Sequence, residues 1–341
     1  MATSPAESNA PCGRLFWVLA MPRPPRIKTQ PNSGTDIMIR VILGLNLLMP
    51  SPELNSIIVG TLAKFHEKHD VEIYCGAFMG NHFHLYLKGR TQRDESDFMR
   101  DFTRKLSIES GILYDWPGST FPNRYHGAEV SEEPEAQIRR LAYQLSNGTK
   151  EGLCDSPLDW PGVSFAEALI SGEPMEGVWI DRTGYHNARK QGKDVTIEDF
   201  TEPMELRLTP LPCWQHEDQT TRRRYVLEII RIIEEKAAAR HAENETASLG
   251  RDFVLEGEPH YRPPPLEKKP QPRFHAYRDA VREDMRAAFG LILAAYLQAA
   301  EQLKAGNRWV TFPENTFPPG LPFLEPTWSS PASPRELWEP G

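Results

Sequence analysis

Two strand-like runs, "VEIYCGAF" (71–78) and "HFHLYLKG" (82–89), are separated only by Met79-Gly80-Asn81. A break this short joins antiparallel neighbours and fixes their register, so the spacing predicts a β-hairpin. Along the second run, side chains alternate between the two sides of the sheet. Phe83, Leu85 and Leu87 fall on one side and form a core face. His82, His84, Tyr86 and Lys88 fall on the other. Two same-side imidazoles stand roughly 7 Å apart along a strand, close enough to converge on one ion. The same pair also fits two solvent-facing histidines on an open strand, and the motif alone does not separate the readings.

The flanking pattern sets the fold class. Residues 36–45 read as a strand, and 51–69 as a helix with Ser51 as N-cap and Pro52 at its first position. In that helix Leu54, Ile57, Ile58, Leu62 and Phe65 recur at helical spacing. Residues 94–111 form a second amphipathic helix, with Phe98, Phe102 and Leu106 on its apolar face and Arg100, Arg104 and Lys105 opposite. A strand at 123–130 and a helix at 132–153 follow. The order β-α-β-β-α-β-α implies the α+β class: an antiparallel-rich sheet with helices on one face. Beyond residue 185 the character becomes mainly helical, with helices over 220–242 and 276–306 and a Pro-rich exposed linker near 256–273. Three parts are expected: a flexible extension (1–20), a domain over 21–185 and a helical extension over 186–341.

Composition removes several functions. No run of about 18 apolar residues is present, so no membrane span is expected. Cys12, Cys75, Cys154 and Cys213 match neither a disulfide framework nor a zinc-finger spacing, and read as reduced thiols in a cytoplasm. A net charge of −8 argues mildly against a non-specific nucleic-acid binder.

In the helix over 132–147, Ile138, Leu141, Ala142 and Leu145 make the apolar stripe. Tyr143 points about 150° away from the middle of that stripe, and Asn147 follows one turn later on the same side. Arg139 and Arg140 lie close by. An exposed tyrosine near a helix stop at Asn147-Gly148 would look the same.

Taken together, these segments resemble the REP-associated tyrosine transposases, a group of single-tyrosine HUH transposases. The family carries "MPNHVHLL" on a central strand, and this chain has "MGNHFHLYL" (79–87). The family's "RYK…V" strand corresponds to "RYHGAEV" (124–130), and its "YIHLNPVRAGLV" helix to "YQLSNGTKEGL" (143–153). "SPLDWPGVS" (156–164) and "MPRPPRI" (21–27) also match in order. Gly148 and Gly80 stand where the family usually has proline.

The resemblance implies an HUH, ferredoxin-like core in which His82 and His84 bind a divalent metal, Mg²⁺ or Mn²⁺. Asn147 helps complete the metal site and Tyr143 is the nucleophile. It implies an enzyme that nicks and rejoins single-stranded, hairpin-forming DNA through a covalent phosphotyrosine, as a monomer or homodimer. A catalytically inactive DNA-repeat-binding relative, and a hydrolase of small phosphoesters using the same histidines, are the alternatives. Arg23, Arg26, Arg100, Arg104, Lys105 and Arg139 are the candidate DNA contacts, with "TRRR" (221–224) a further one. Tyr86 either stacks on an unpaired base or belongs to the framework.

Overall fold

The computed structural model describes residues 26–264 and 270–319. The described residues divide into two units, one within 28–289 and a second of 26–27 and 290–319. The expected flexible extension over 1–20 lies outside the described residues.

In the larger unit the sheet has the order β2-β3-β1-β4-β7. Its strands are β1 (Gly34–Arg40), β2 (Val71–Met79), β3 (His82–Gly89), β4 (His126–Val130) and β7 (Phe274–His275). Every pairing is antiparallel except the short β4–β7 pair. The hairpin forms as expected, with Met79 opposite His82 and a two-residue turn at Gly80-Asn81. β1 is shorter than expected: after Arg40 the chain leaves the sheet into a single helical turn, Ile42–Gly44, with Leu43 at φ 55°. The apolar run to Leu45 reflects burial of Val41 and Leu45, not strand pairing.

Helix α1 (Pro52–His69) is capped by Ser51, whose hydroxyl accepts from Leu54 N at 3.1 Å. Helix α2 (Gln92–Leu113) starts with a reciprocal Thr91–Asp94 capping box. Both helices bury their apolar sides against Ile37, Ile39, Phe83, Leu85 and Leu87. The rings of Phe78 and Phe83 stack at 4.8 Å, and Phe102 meets Phe83 edge-on at 5.5 Å.

The opposite face of the sheet is covered too, by α3 (Pro134–Leu145) and the long α7 (Gln219–Asn244). Leu141 and Leu145 of α3, with Val226, Ile229 and Ile230 of α7, pack on Tyr74, Cys75 and Tyr86. The expected helices on one face are thus α1 and α2, and a further layer lies across the sheet. The reason is chemical: Tyr74 and Tyr86 present large rings on that side, which need apolar partners.

Sequence patterning did not anticipate a two-stranded sheet of β5 (Met175–Ile180) and β6 (Thr201–Leu206). It packs on the outside of α1, where Gly60 and Gly177 meet so closely that a Cβ on Gly60 would stand 2.1 Å from the Val178 carbonyl oxygen. Helix α6 (Arg182–Lys190) lies between its strands, so no short hairpin turn marks it, and Pro203 disguises β6. The boundary expected near residue 185 therefore falls inside the larger unit. Helix α5 (Ala166–Ser171) precedes β5, and α8 (Gly250–Leu255) follows α7.

The described parts of the Pro-rich stretch are largely exposed, as expected, but hydrogen bonds tie them to the body of this unit. Pro259 O accepts from Asn46 N at 2.9 Å, His260 Nε2 meets Tyr114 O at 2.7 Å, and Arg273 O accepts from Glu129 N at 3.0 Å. Backbone groups that cannot form a helix find partners in the neighbouring loops.

Helix α9 spans Asp279–Lys304. In the second unit the rings of Tyr296 and Phe312 meet at 5.4 Å. No helix of the described residues is long and apolar enough to cross a membrane.

Candidate active site

The hairpin register determines what can converge. Because β3 lies between β1 and β2, His84 is opposite Met38 and Ala77, and His82 is opposite Arg40 and Met79. Directly opposed residues share a face. The floor of the site is therefore Met38, Arg40, Met79, His82 and His84. Over it run α3 and its continuation, α4 (Asn147–Lys150), which bring down Tyr143, Asn147 and Lys150 at i, i+4 and i+7. Together they line a cleft of about 580 Å³, shared with Asn46, Asn81, Glu151 and Gln271.

The rings of His82 and His84 meet edge to face at 5.4 Å, and His84 meets Tyr143 in the same way at 5.6 Å. Nucleophile candidate and histidines thus come together within one chain. His82 Nδ1 pairs with Asn81 Oδ1 at 2.7 Å, which leaves Nε2 for another partner. His84 Nδ1 is buried and has no partner in the protein. Burial pushes the His82 imidazole down to about 3, helped by the charges of His84, Arg40 and Lys150. Burial likewise pushes His84 down to about 4, against the opposing pull of Asp36. Both rings are neutral near pH 7 and keep a lone pair free for an electrophile.

Asn147 is buried, and its amide nitrogen donates to Gln144 O at 3.1 Å, so its carbonyl oxygen is the atom available to a cation. These three donors fit a small divalent ion of mixed nitrogen and oxygen preference. Among the described residues, no group of three or more His, Cys, Asp or Glu side chains could hold a metal. Any cation here would depend on the two histidines, the carboxamide and solvent or substrate oxygens.

Two cations flank Tyr143. Lys150 Nζ donates to its hydroxyl at 3.3 Å and stands 4.6 Å from the ring centroid. Arg140 lies 4.4 Å over the ring. Arg140 is oriented from below by Asp36, 3.3 Å from its guanidinium. Asp36 also accepts from Gln144 Nε2 at 2.8 Å and pairs with His275 at 3.2 Å. Burial acts to raise the Asp36 carboxyl, but the His275 hydrogen bond and the charges of His84, His275 and Arg140 hold it below the usual carboxylate range. At the other end, Arg240 of α7 donates to the carbonyls of Thr149 and Lys150, closing the last turn of α4.

Gly148 is not the helix stop that Asn147-Gly148 suggested. The chain continues helically through Lys150, and Gly148 is a close-packing position: a Cβ would stand 2.7 Å from Cys154 Sγ and 3.2 Å from Trp160 Cε3. Trp160 in turn donates its indole N–H to Phe78 O at 2.9 Å.

The arginines and lysine of α2 are elsewhere. α2 packs on the far face of the sheet, so Arg100, Arg104 and Lys105 do not reach the cleft. Arg100 pairs with Asp97 and Asp101, and Lys105 pairs with Glu109 at 2.6 Å and lies 4.6 Å from the Trp179 ring. The helical period put these charges opposite an apolar stripe, but the β5–β6 sheet covers Lys105. Arg139 points away from Tyr143 and stacks at 4.3 Å on Tyr277. Arg26 is half-buried in the second unit, and Arg23 lies outside the described residues. Tyr86 is fully buried against Tyr74, at 5.1 Å, so it belongs to the framework and no base can reach it. Lys150 and Arg40 were missed. The i+7 spacing from Tyr143 carried the signal for Lys150, whereas Arg40 needs the β1–β3 register.

No family model and no curated protein matches the chain. Among solved structures, a REP-associated tyrosine transposase bound to a REP hairpin aligns at 14% identity with a TM-score of 0.36, over 43% of this chain and 84% of its own. A protein from Deinococcus radiodurans, provisionally assigned as a transposase, aligns at 17% identity with a TM-score of 0.25, over 34% of this chain and 92% of its own. The functional reading rests on the chain's own cleft.

Proposed function

We propose that this chain is a transposase-like enzyme that cuts and rejoins single-stranded, hairpin-forming DNA through a covalent link to Tyr143. The observation that carries the reading is the convergence of His82, His84, Tyr143, Asn147 and Lys150 in one cleft.

Tyr143 Oη attacks the scissile phosphorus. The bond from phosphorus to the leaving 3′ oxygen breaks, and the phenolic proton is balanced by the proton that the released 3′-hydroxyl takes up. Phosphotyrosine keeps the phosphoester bond, so a 3′-hydroxyl can attack it in reverse and rejoin a strand. Lys150 holds positive charge beside the hydroxyl oxygen and Arg140 holds it over the ring, and both favour the phenolate that attacks. Arg40 adds a cation at the cleft wall for a non-bridging or flanking phosphate oxygen. His82, His84 and Asn147 would hold Mg²⁺ or Mn²⁺. Such an ion supplies Lewis-acid polarisation of the phosphate. The reading implies a cytoplasmic protein.

A second reading is a DNA-repeat-binding protein that does not cut. Among the described residues no third His, Cys, Asp or Glu is placed to hold a metal with the two histidines, and this favours it. An end-labelled hairpin with single-stranded flanks, incubated with Mn²⁺, separates the two. Cutting that is lost with chelator and in His84→Ala supports the first. Tight binding with no product under either Mg²⁺ or Mn²⁺ supports the second.

A further inference from the structure

On the sheet face that carries the cleft there is a second concavity, of about 250 Å³, between α5, the 207–211 segment and the start of α7. Its walls include Arg207, Thr209, Trp214, Gln219 and Arg222. Its most telling atom is Arg222 Nε, which is buried and has no partner in the protein. A guanidinium nitrogen shut away from water without an acceptor is costly, and such an atom in a pocket points to a missing acceptor. Neither neighbouring carboxylate bonds that atom, although the charge of Asp218 is felt by Arg222. Asp218, one turn earlier, accepts from Thr221 N at 2.7 Å as the helix cap, and Glu173 is exposed at the rim. Gln219 is fixed by its donation to Ile170 O at 3.3 Å.

Two guanidiniums opening on one small concavity suit a tetrahedral, multiply accepting anion, and phosphate above all. The place of the pocket suggests the source. Thr209 N donates to Ile73 O on β2, and Met79 at the other end of β2 lines the catalytic cleft. Six residues of strand separate them, about 20 Å at 3.3 Å per residue. A strand of DNA leaving the cleft would reach the pocket within a few nucleotides.

We infer that the Arg207–Arg222 pocket binds a backbone phosphate of the single-stranded DNA flanking the cut, an inference that rests on the function proposed above. The test uses the full chain and two hairpins, one blunt and one with a single-stranded flank of about four nucleotides. The parent binds the flanked hairpin more tightly. Arg222→Gln removes about tenfold of that advantage and leaves the blunt hairpin unaffected. It also lowers the salt slope for the flanked hairpin by about 0.7, as loss of one single-strand phosphate contact requires. Arg207→Gln, at an exposed position, gives the same pattern without risk to folding. Equal weakening of both hairpins, or of neither, overturns the inference. Inorganic phosphate titrated into the protein without DNA forms an independent arm. If the parent binds phosphate and Arg222→Gln does not, while neither hairpin binds, the pocket is a free-phosphate site and the DNA reading fails. If phosphate does not bind but both hairpins do, equally in parent and variant, hairpin binding, which the proposed function requires, stands and the pocket does not.

Discussion

The two faces of β3 are built from alternate residues of one strand and solve different problems. On one, Phe83, Leu85 and Leu87 are fully buried in a single hydrophobic cluster with α1 and α2. On the other, His84 and Tyr86 are equally hidden, yet His84 Nδ1, Tyr86 Oη and the neighbouring Gln144 Oε1 all lack partners. A face serving only stability would hold carbon or satisfied polar groups. Unfilled hydrogen-bonding capacity beside a cleft is what a site awaiting a ligand retains. Burial alone therefore does not distinguish core from site, and neither does an unpaired buried atom alone, since Thr61 Oγ1 on α1 is one too; His84 Nδ1 stands out because its residue also lines the cleft.

Truncating one side chain on each face gives the largest contrast. Phe83→Ala should cost about 3–5 kcal/mol, because it opens a cavity among stacked rings. His84→Ala should cost less than about 1 kcal/mol, because the ring it removes carries an unpaired buried nitrogen. Urea midpoints for the two variants check this, and equal losses would erase the distinction between the faces.

Acid should act through the histidine face next. His82 and His84 titrate at about 3 and about 4 in the folded chain, against about 6.5 when unfolded. Between those values the unfolded chain binds more protons, so stability is complete above about pH 6.5 and falls as pH drops below it. The slope should approach about 1.4 kcal/mol per pH unit for each ring across that window. Urea titrations in chelator at pH 7 and pH 5 should show the loss in the parent. A His82→Ala, His84→Ala double variant should be flatter, and the same slope in both would contradict neutral buried imidazoles.

Much of this contrast was legible in the sequence. The alternation in "HFHLYLKG" separated the two faces, and the position of Tyr143 off the apolar stripe placed it with Asn147. Long-range packing was not legible. Helical period alone cannot say that a charged face will be roofed by a second sheet, as happens to Lys105 beside Trp179. Nor does local pattern show that Gly148 is required by its contact with Cys154 and Trp160, since both come from a later segment. Arg140 and Asp36, separated by 104 residues, meet only once β1 and α3 are docked.

Lys150→Met should have the smallest effect on stability, within about 0.5 kcal/mol for an exposed side chain. Cleavage should nevertheless slow by about tenfold to a hundredfold through loss of the charge beside the Tyr143 hydroxyl. Single-turnover rates at saturating DNA check this. An unchanged rate would mean that the 3.3 Å contact is incidental.

The most direct measurement is a denaturing gel of protein incubated with labelled, flanked hairpin DNA and Mn²⁺, run for the parent and for Tyr143→Phe. The variant loses one hydroxyl, so folding and hairpin binding are retained. The account predicts a denaturation-resistant protein–DNA band in the parent, with the label on Tyr143 after proteolysis, and no such band in the variant. A band of equal strength in Tyr143→Phe would show that another residue carries the covalent link and would contradict the account at its centre.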